Sequence, residues 1–254
     1  MPSDVALSAE TRDDLTVHPV ASVRALGIDA FVTDRFGGVS SPPYDSLNLG
    51  EHVGDRASDV TENRRRVANA INVDPTNHVI VQQVHGARVL DASLATASSE
   101  ADALFTDGCD QALAILVADC VPLLLVDTTS SRFALVHAGW RGLHLGVIAQ
   151  TLQCFTNAPD IQVFLGPSIS REGYQVGPEV AAHFAHLPGV LTPDGGDRSR
   201  LDLTLVAIRQ LLEHGVADAS IVRCQQVTDG GEVFFSDRAQ RPCGRFALVA
   251  KRTS

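Results

Sequence analysis

Leu113 to Gly142 reads LAILVADCVPLLLVDTTSSRFALVHAGWRG, and this stretch decides the fold. It contains two apolar runs, each short enough for a buried strand, separated by the turn-forming residues TTSSR. Set into these runs are Asp119, Cys120 and His137. An apolar strand excludes an acid, a thiol and an imidazole unless neighbours satisfy them. Cys120 and His137 are therefore the first candidates for a functional centre.

Working outward, a chain of 254 residues with 44% hydrophobic and 20% charged content is ordinary for a globular α/β protein. Net charge is −10, and the one basic cluster is Arg64-Arg65-Arg66, so no positive footprint for nucleic acid is present. The longest uncharged apolar run is broken at Asp119 and again at Pro122, well short of the roughly 20 residues that span a bilayer. Residues 1–15 are acidic, lack a secretory pattern and read as a disordered leader before one domain over 16–254. The expected compartment is the cytoplasm, where the five cysteines stay reduced. The sole lysine is Lys251, which excludes a Schiff-base or P-loop lysine; any phosphate must be held by arginine or backbone N–H groups.

Taken in order, residues 29–32 read as a strand entering a Gly/Ser/Pro-rich loop, where Gly37-Gly38 after Arg35 could present donors to an anion. Asp59 with Glu62 has the spacing of a capping box for a helix to about Ile71. Residues 78–84 read as a strand delivering His85-Gly86, and residues 88–91 as the next. A helix is expected over 142–155 and a strand over 161–165. A short helix from Pro178 carries a solvent-facing His183/His186 pair. A helix capped by Asp202 runs to His214, burying Leu205, Ile208 and Leu212 and ending at Gly215. Strands over 221–224, 233–236 and 246–250 close one domain with mixed sheets.

His85, Cys120 and His137 together offer a thiolate and two imidazoles, a good zinc set with a fourth position open. Their separations of 35 and 17 residues match no local zinc motif. The same trio permits a cysteine nucleophile activated by histidine, with Asp119 or another group as orienter.

The motifs say more than the spacings. QVHG (83–86), ADALFTD (101–107), VADCVPLLLVD (117–127) and VHAGWRG (136–142) resemble the laccase-domain family, also known as multicopper-polyphenol-oxidase-like, purine nucleoside phosphorylase or peptidoglycan-editing-factor proteins. SLNLGEHVGD (46–55), NRRRV (63–67), LGPSIS (165–170) and FFSDR (234–238) fall where that family has similar stretches. The resemblance implies an α/β/β/α layered fold shared with bacterial cysteine toxins, and a zinc-binding catalytic trio at His85, Cys120 and His137. It implies phosphorolysis of adenosine, inosine and methylthioadenosine, with adenosine deamination beside it; its alternatives are a cysteine amidase editing peptidoglycan precursors, a copper polyphenol oxidase and a non-catalytic accessory protein. Arg35, Asn48 and Arg141 are the candidates for phosphate and substrate binding. A four-copper oxidase is disfavoured, because there are nine histidines, no H-x-H pair and a single methionine, Met1. Asp237 and Cys243 stand where the family commonly has tyrosine and threonine or serine.

Overall fold

The strands Val121–Asp127 and Phe133–Ala138 pair antiparallel, placing His137 opposite Pro122. The computed structural model describes residues 2–253. These two strands lie inside a seven-stranded mixed sheet ordered Ser3–Val5, Ile221–Cys224, Ile161–Leu165, Val121–Asp127, Phe133–Ala138, Ala103–Thr106, Val89–Asp91. A six-stranded mixed sheet packs on it, ordered Glu10–Arg12, Leu15–Pro19, Ile28–Thr33, Phe246–Arg252, Ala112–Val117, His78–Val79.

Alternate residues of each strand enter different cores. Leu124, Val126, Leu135 and Phe164 of the larger sheet meet Val32, Ile115, Phe246 and Leu248 of the smaller one. Leu123, Leu125, Ala134 and Val136 point the other way, onto the helices Val147–Leu152 and Leu203–Glu213. The outer face of the smaller sheet, through Phe31, Ala114, Leu116 and Val249, packs against Val67 and Ala70 of the helix Ala57–Ala70. The result is the expected α/β/β/α layering with mixed sheets. Burial on both faces is why the apolar runs are continuous and not alternating.

The chain departs from the sequence reading where a local signal met a stronger tertiary one. Instead of a disordered leader, Ser3–Val5 adds a parallel strand beside Ile221–Cys224, held by two Arg223–Asp4 hydrogen bonds of 2.8 and 2.7 Å. Glu10–Arg12 pairs with Leu15–Pro19. The first long helix begins at Ala57, so Asp59 lies in its first turn, bound to Arg56, and Glu62 pairs with Arg65 and Arg66. The helix expected over 142–155 is split at Gly146, whose φ is +82°. The buried side of Leu203–Glu213 runs through Leu203, Val206, Ala207, Ile208 and Leu211; Leu205 and Leu212 are only half-buried. Residues 233–236 form no strand; Phe234 and Phe235 are buried from a loop.

Leu124 is fully buried between the sheets. Leu124→Ala is expected to lower the unfolding free energy by about 2–5 kcal/mol, read from the urea midpoint at unchanged slope. A loss under about 1 kcal/mol would mean that the shared inter-sheet core is not formed there.

Candidate active site

His137 is the penultimate residue of its strand, and Cys120 immediately precedes the strand paired with it. Antiparallel register therefore brings both to one sheet end. His85 arrives differently. The strand expected over 78–84 stops at Val79, and the chain is then docked by a side chain. Gln83 donates from Nε2 to the Leu116 carbonyl (2.6 Å) and accepts from the Leu116 N–H (2.8 Å). That amide replaces a strand pairing and swings His85 over the sheet end in a left-handed conformation, φ +58°.

Asp102 holds this arrangement. It is fully buried, just before the strand Ala103–Thr106. Its carboxylate accepts from the backbone N–H groups of Val84, His85 and Gly86 at 3.3, 2.9 and 2.6 Å, and bonds His137 Nδ1 at 2.8 Å. Three N–H bonds offset the conformational cost of a non-glycine residue at positive φ. Engaging Nδ1 also leaves Nε2 of His137 as the open ring nitrogen. The ligand atoms of His85, Cys120 and His137 lie within 4.8 Å of one another, with His85 exposed, Cys120 half-buried and His137 buried. Gly139 has to be glycine: an added Cβ would stand 2.9 Å from Cys120 Sγ and 3.1 Å from His85 Cδ2.

The electrostatics favour a charged pair. Burial pushes the Cys120 thiol up, but the His137 charge and hydrogen bonds from His137 and His85 outweigh it and hold the thiol down to about 6. Burial also opposes charge on His137, yet the Cys120 thiolate and Asp102 raise it to about 9. Burial resists ionisation of Asp102 too, and His137 with the nearby N–H groups nonetheless keeps it below its ordinary range. Asp119 is not the orienter: its carboxylate accepts from Thr228 Oγ1 (2.6 Å) and the Arg238 N–H (2.7 Å).

The trio lines a cavity of about 470 Å³ that also takes in Trp140, Tyr174, Arg141, Arg238, Arg241 and Arg245. A larger cavity of about 520 Å³ lies beside Arg64 and His78. It holds no cluster of three metal-ligating groups among the described residues, so the chemistry singles out the smaller one. Arg141 lines it as expected, its guanidinium 4.7 Å from the Trp140 ring centroid. Arg35 and Asn48 line no part of it. Arg35 donates to the carbonyls of Asp45 (2.9 Å) and Gly231 (2.5 Å). Asn48 is buried, binding Gly50 and Asp55 and accepting from the Arg245 N–H. Both brace the 34–55 loop. Gly38 presents no free donor either, since its N–H goes to Ser46 Oγ. His183 faces His144, ring centroids 3.8 Å apart, while His186 is exposed.

Asp102, Tyr174, Arg238, Arg241 and Arg245 were missed by sequence reasoning. Asp102 lay inside a quoted motif, ADALFTD, and a buried-strand acid was its available signal. Arg238 likewise closed a quoted motif, FFSDR, while Arg241 and Arg245 carried no local signal.

The thiolate is the form that alkylates, so its fraction rises as pH rises through about 6. In metal-free protein, iodoacetamide should modify Cys120 with a midpoint near that value, and Asp102→Asn should move the midpoint upward by weakening the imidazolium. A midpoint near 9 in both proteins would refute the ion pair. Gly139→Ala should cost about 1–3 kcal/mol of stability in urea, because Cys120 and His85 must shift.

The multi-copper polyphenol oxidoreductase laccase family model matches residues 29–253. Escherichia coli purine nucleoside phosphorylase YfiH is 38% identical over 227 residues, covering 87% of this chain and 92% of that protein. Mycobacterium tuberculosis purine nucleoside phosphorylase Rv2149c is 39% identical over 225 residues, 85% and 89% of the two chains. The crystal structure of YlmD from Geobacillus stearothermophilus superposes with a TM-score of 0.88 at 30% identity, covering 98% of this chain and 99% of that one. With the family model spanning residues 29–253 and the fold and nearly the whole length in agreement, the chain belongs to the multi-copper polyphenol oxidoreductase laccase family.

Proposed function

We propose that the chain is a cytoplasmic purine nucleoside phosphorylase acting on adenosine, inosine and methylthioadenosine, with zinc held by His85, Cys120 and His137. The observation that carries this reading is one cavity holding both that donor set and four arginines, in a chain similar to proteins named for the reaction. The donors fit the metal: a thiol already biased to thiolate, and two imidazoles, one oriented by a buried carboxylate. They do not fit four coppers, because the chain has nine histidines and no second cluster of three ligating groups among the described residues. A bound Zn²⁺ would supply Lewis-acid chemistry at the trio.

The remaining roles belong to the chain itself. Phosphorolysis joins a phosphate oxygen to the anomeric carbon while the bond to the purine breaks, so the site must hold an anion and protonate a leaving base. Arg141 supplies positive charge next to the trio, its guanidinium fixed against Trp140. Tyr174 is pushed up to about 12 by burial and then by the Cys120 thiolate, so it keeps its proton and offers an O–H donor. Water in place of phosphate at the anomeric carbon would release the base and free ribose; adenosine deamination is a separate hydrolysis, in which water adds at C6 of the adenine ring and ammonia leaves. No helix among the described residues is long and apolar enough to cross a membrane.

A second reading rests on a specific geometry. Cys120, His137 and Asp102 have the order nucleophile, base and orienter, which suits a thiol amidase acting on peptidoglycan precursors. Metal analysis separates the two. Protein purified without added zinc should carry close to one Zn²⁺ per chain, lost in His85→Ala and His137→Ala. Incubation of adenosine or inosine with phosphate should release free base and ribose 1-phosphate, with Cys120→Ala reduced at least about 100-fold. No release by wild type, or unchanged release by Cys120→Ala, refutes the phosphorylase reading; metal-independent turnover of a muramyl peptide supports the amidase.

A further inference from the structure

The cavity has the opposite charge balance to the chain that builds it. The chain is −10 overall, yet the cavity wall sets Arg141, Arg238, Arg241 and Arg245 against two carboxylates, Asp119 and Asp237. Such a pocket concentrates anions even in an acidic protein. Asp119 is engaged by Thr228 Oγ1 and the Arg238 N–H, which leaves Asp237 to face the guanidinium groups.

Asp237 bridges two of them. Its Oδ2 lies 2.6 Å from Arg241 NH2 and its Oδ1 lies 3.3 Å from Arg245 NH2. Among the described residues the other two arginines have no acidic partner. Arg141 stacks on Trp140, and Arg238 donates to the Gln175 carbonyl at 2.9 Å while lying 5.0 Å from the Tyr174 ring centroid. The Cys120 thiolate and both of these guanidinium groups act on the Tyr174 phenol, and all four residues line the one cavity. His52, lowered by burial and then by Arg245, Arg64, His85 and His137, links Arg245 to the same space.

A carboxylate clasped between two guanidinium groups occupies the place, and copies half the hydrogen-bonding pattern, of a phosphate. We infer that Arg141, Arg238, Arg241 and Arg245 form the site for inorganic phosphate, and that Asp237 is its built-in competitor, displaced from Arg241 and Arg245 when the anion enters. The inference rests on the phosphorolytic reading of the cavity and assigns it an anion subsite and a residue that sets its affinity. The Arg241 side chain is 74% exposed and Asp237 29%, so the pair is open to solvent on the Arg241 side. Phosphate brings more charge and more acceptor atoms than one carboxylate, and it meets Arg141 and Arg238 as well.

The test is calorimetric titration of inorganic phosphate into the zinc-loaded full chain without nucleoside. Asp237→Asn and Asp237→Ser should bind phosphate about fivefold more tightly or better. Arg141→Gln and Arg238→Gln should bind it at least about tenfold more weakly. In turnover, the KM for phosphate should fall in Asp237→Asn. For wild type, phosphate should protect Arg241 and Arg245 from phenylglyoxal, a readout independent of whether any variant folds. Unchanged or weaker phosphate binding by folded Asp237 variants, or no protection of those arginines, overturns the inference. So does tight binding of AMP with inorganic phosphate silent, which would assign the arginines to a phosphate ester. Asp237-dependent phosphate binding without nucleoside turnover would leave this subsite standing and sink the phosphorylase reading. Turnover with a phosphate KM indifferent to Asp237 would do the reverse.

Discussion

One buried carboxylate, Asp102, holds the candidate centre together. It accepts three consecutive backbone N–H groups from the turn carrying His85 and bonds the ring of His137. A fully buried acid is tolerable only when its charge is compensated by such partners. The compensation is what fixes two imidazoles from separate elements on either side of one thiol. Without it, His85 would sit in a strained left-handed conformation with nothing to hold it there.

The double-sheet architecture supplies the second constraint. Strands buried on both faces leave no room for polar groups along their length. Cys120 and His137 therefore appear at the sheet end, where the two central strands run out of partners and the cavity begins. The tight approach of Gly139 to Cys120 and His85 closes one side of that space. Arginines from the Trp140–His144 helix and from the loop after Phe235 close the other. Placing an acid-poor, arginine-rich wall against a thiolate–imidazolium pair gives a site suited to anions and to a soft cation together.

The two central strands, Ile161–Leu165, Ile221–Cys224 and the helix capped by Asp202 were all legible, because each is signalled by apolar runs or by a cap within a few residues. The misreadings share a cause. Residues 80–84 have strand composition, but a glutamine side chain replaces the backbone pairing. The helix after Gly142 has continuous apolar spacing, yet Gly146 turns left-handed and breaks it. Residues 3–5 look like a polar leader and become a strand only because Ile221–Cys224 offers an edge, with Arg223 across from Asp4.

By itself, the amino-acid sequence determined the α/β class with mixed sheets and singled out His85, Cys120 and His137 as the residues to watch, while the layering came with the family resemblance. Those signals are local: run length, residue type and short motifs. Only the tertiary structure decided that Asp102 and not Asp119 orients His137, that Arg35 and Asn48 brace the 34–55 loop without lining the cavity themselves, and that Arg238, Arg241 and Arg245 join Arg141 around that cavity. The reason is physical. Hydrogen bonds and ion pairs between residues far apart in the chain depend on which strand ends meet, and no spacing along one segment records that.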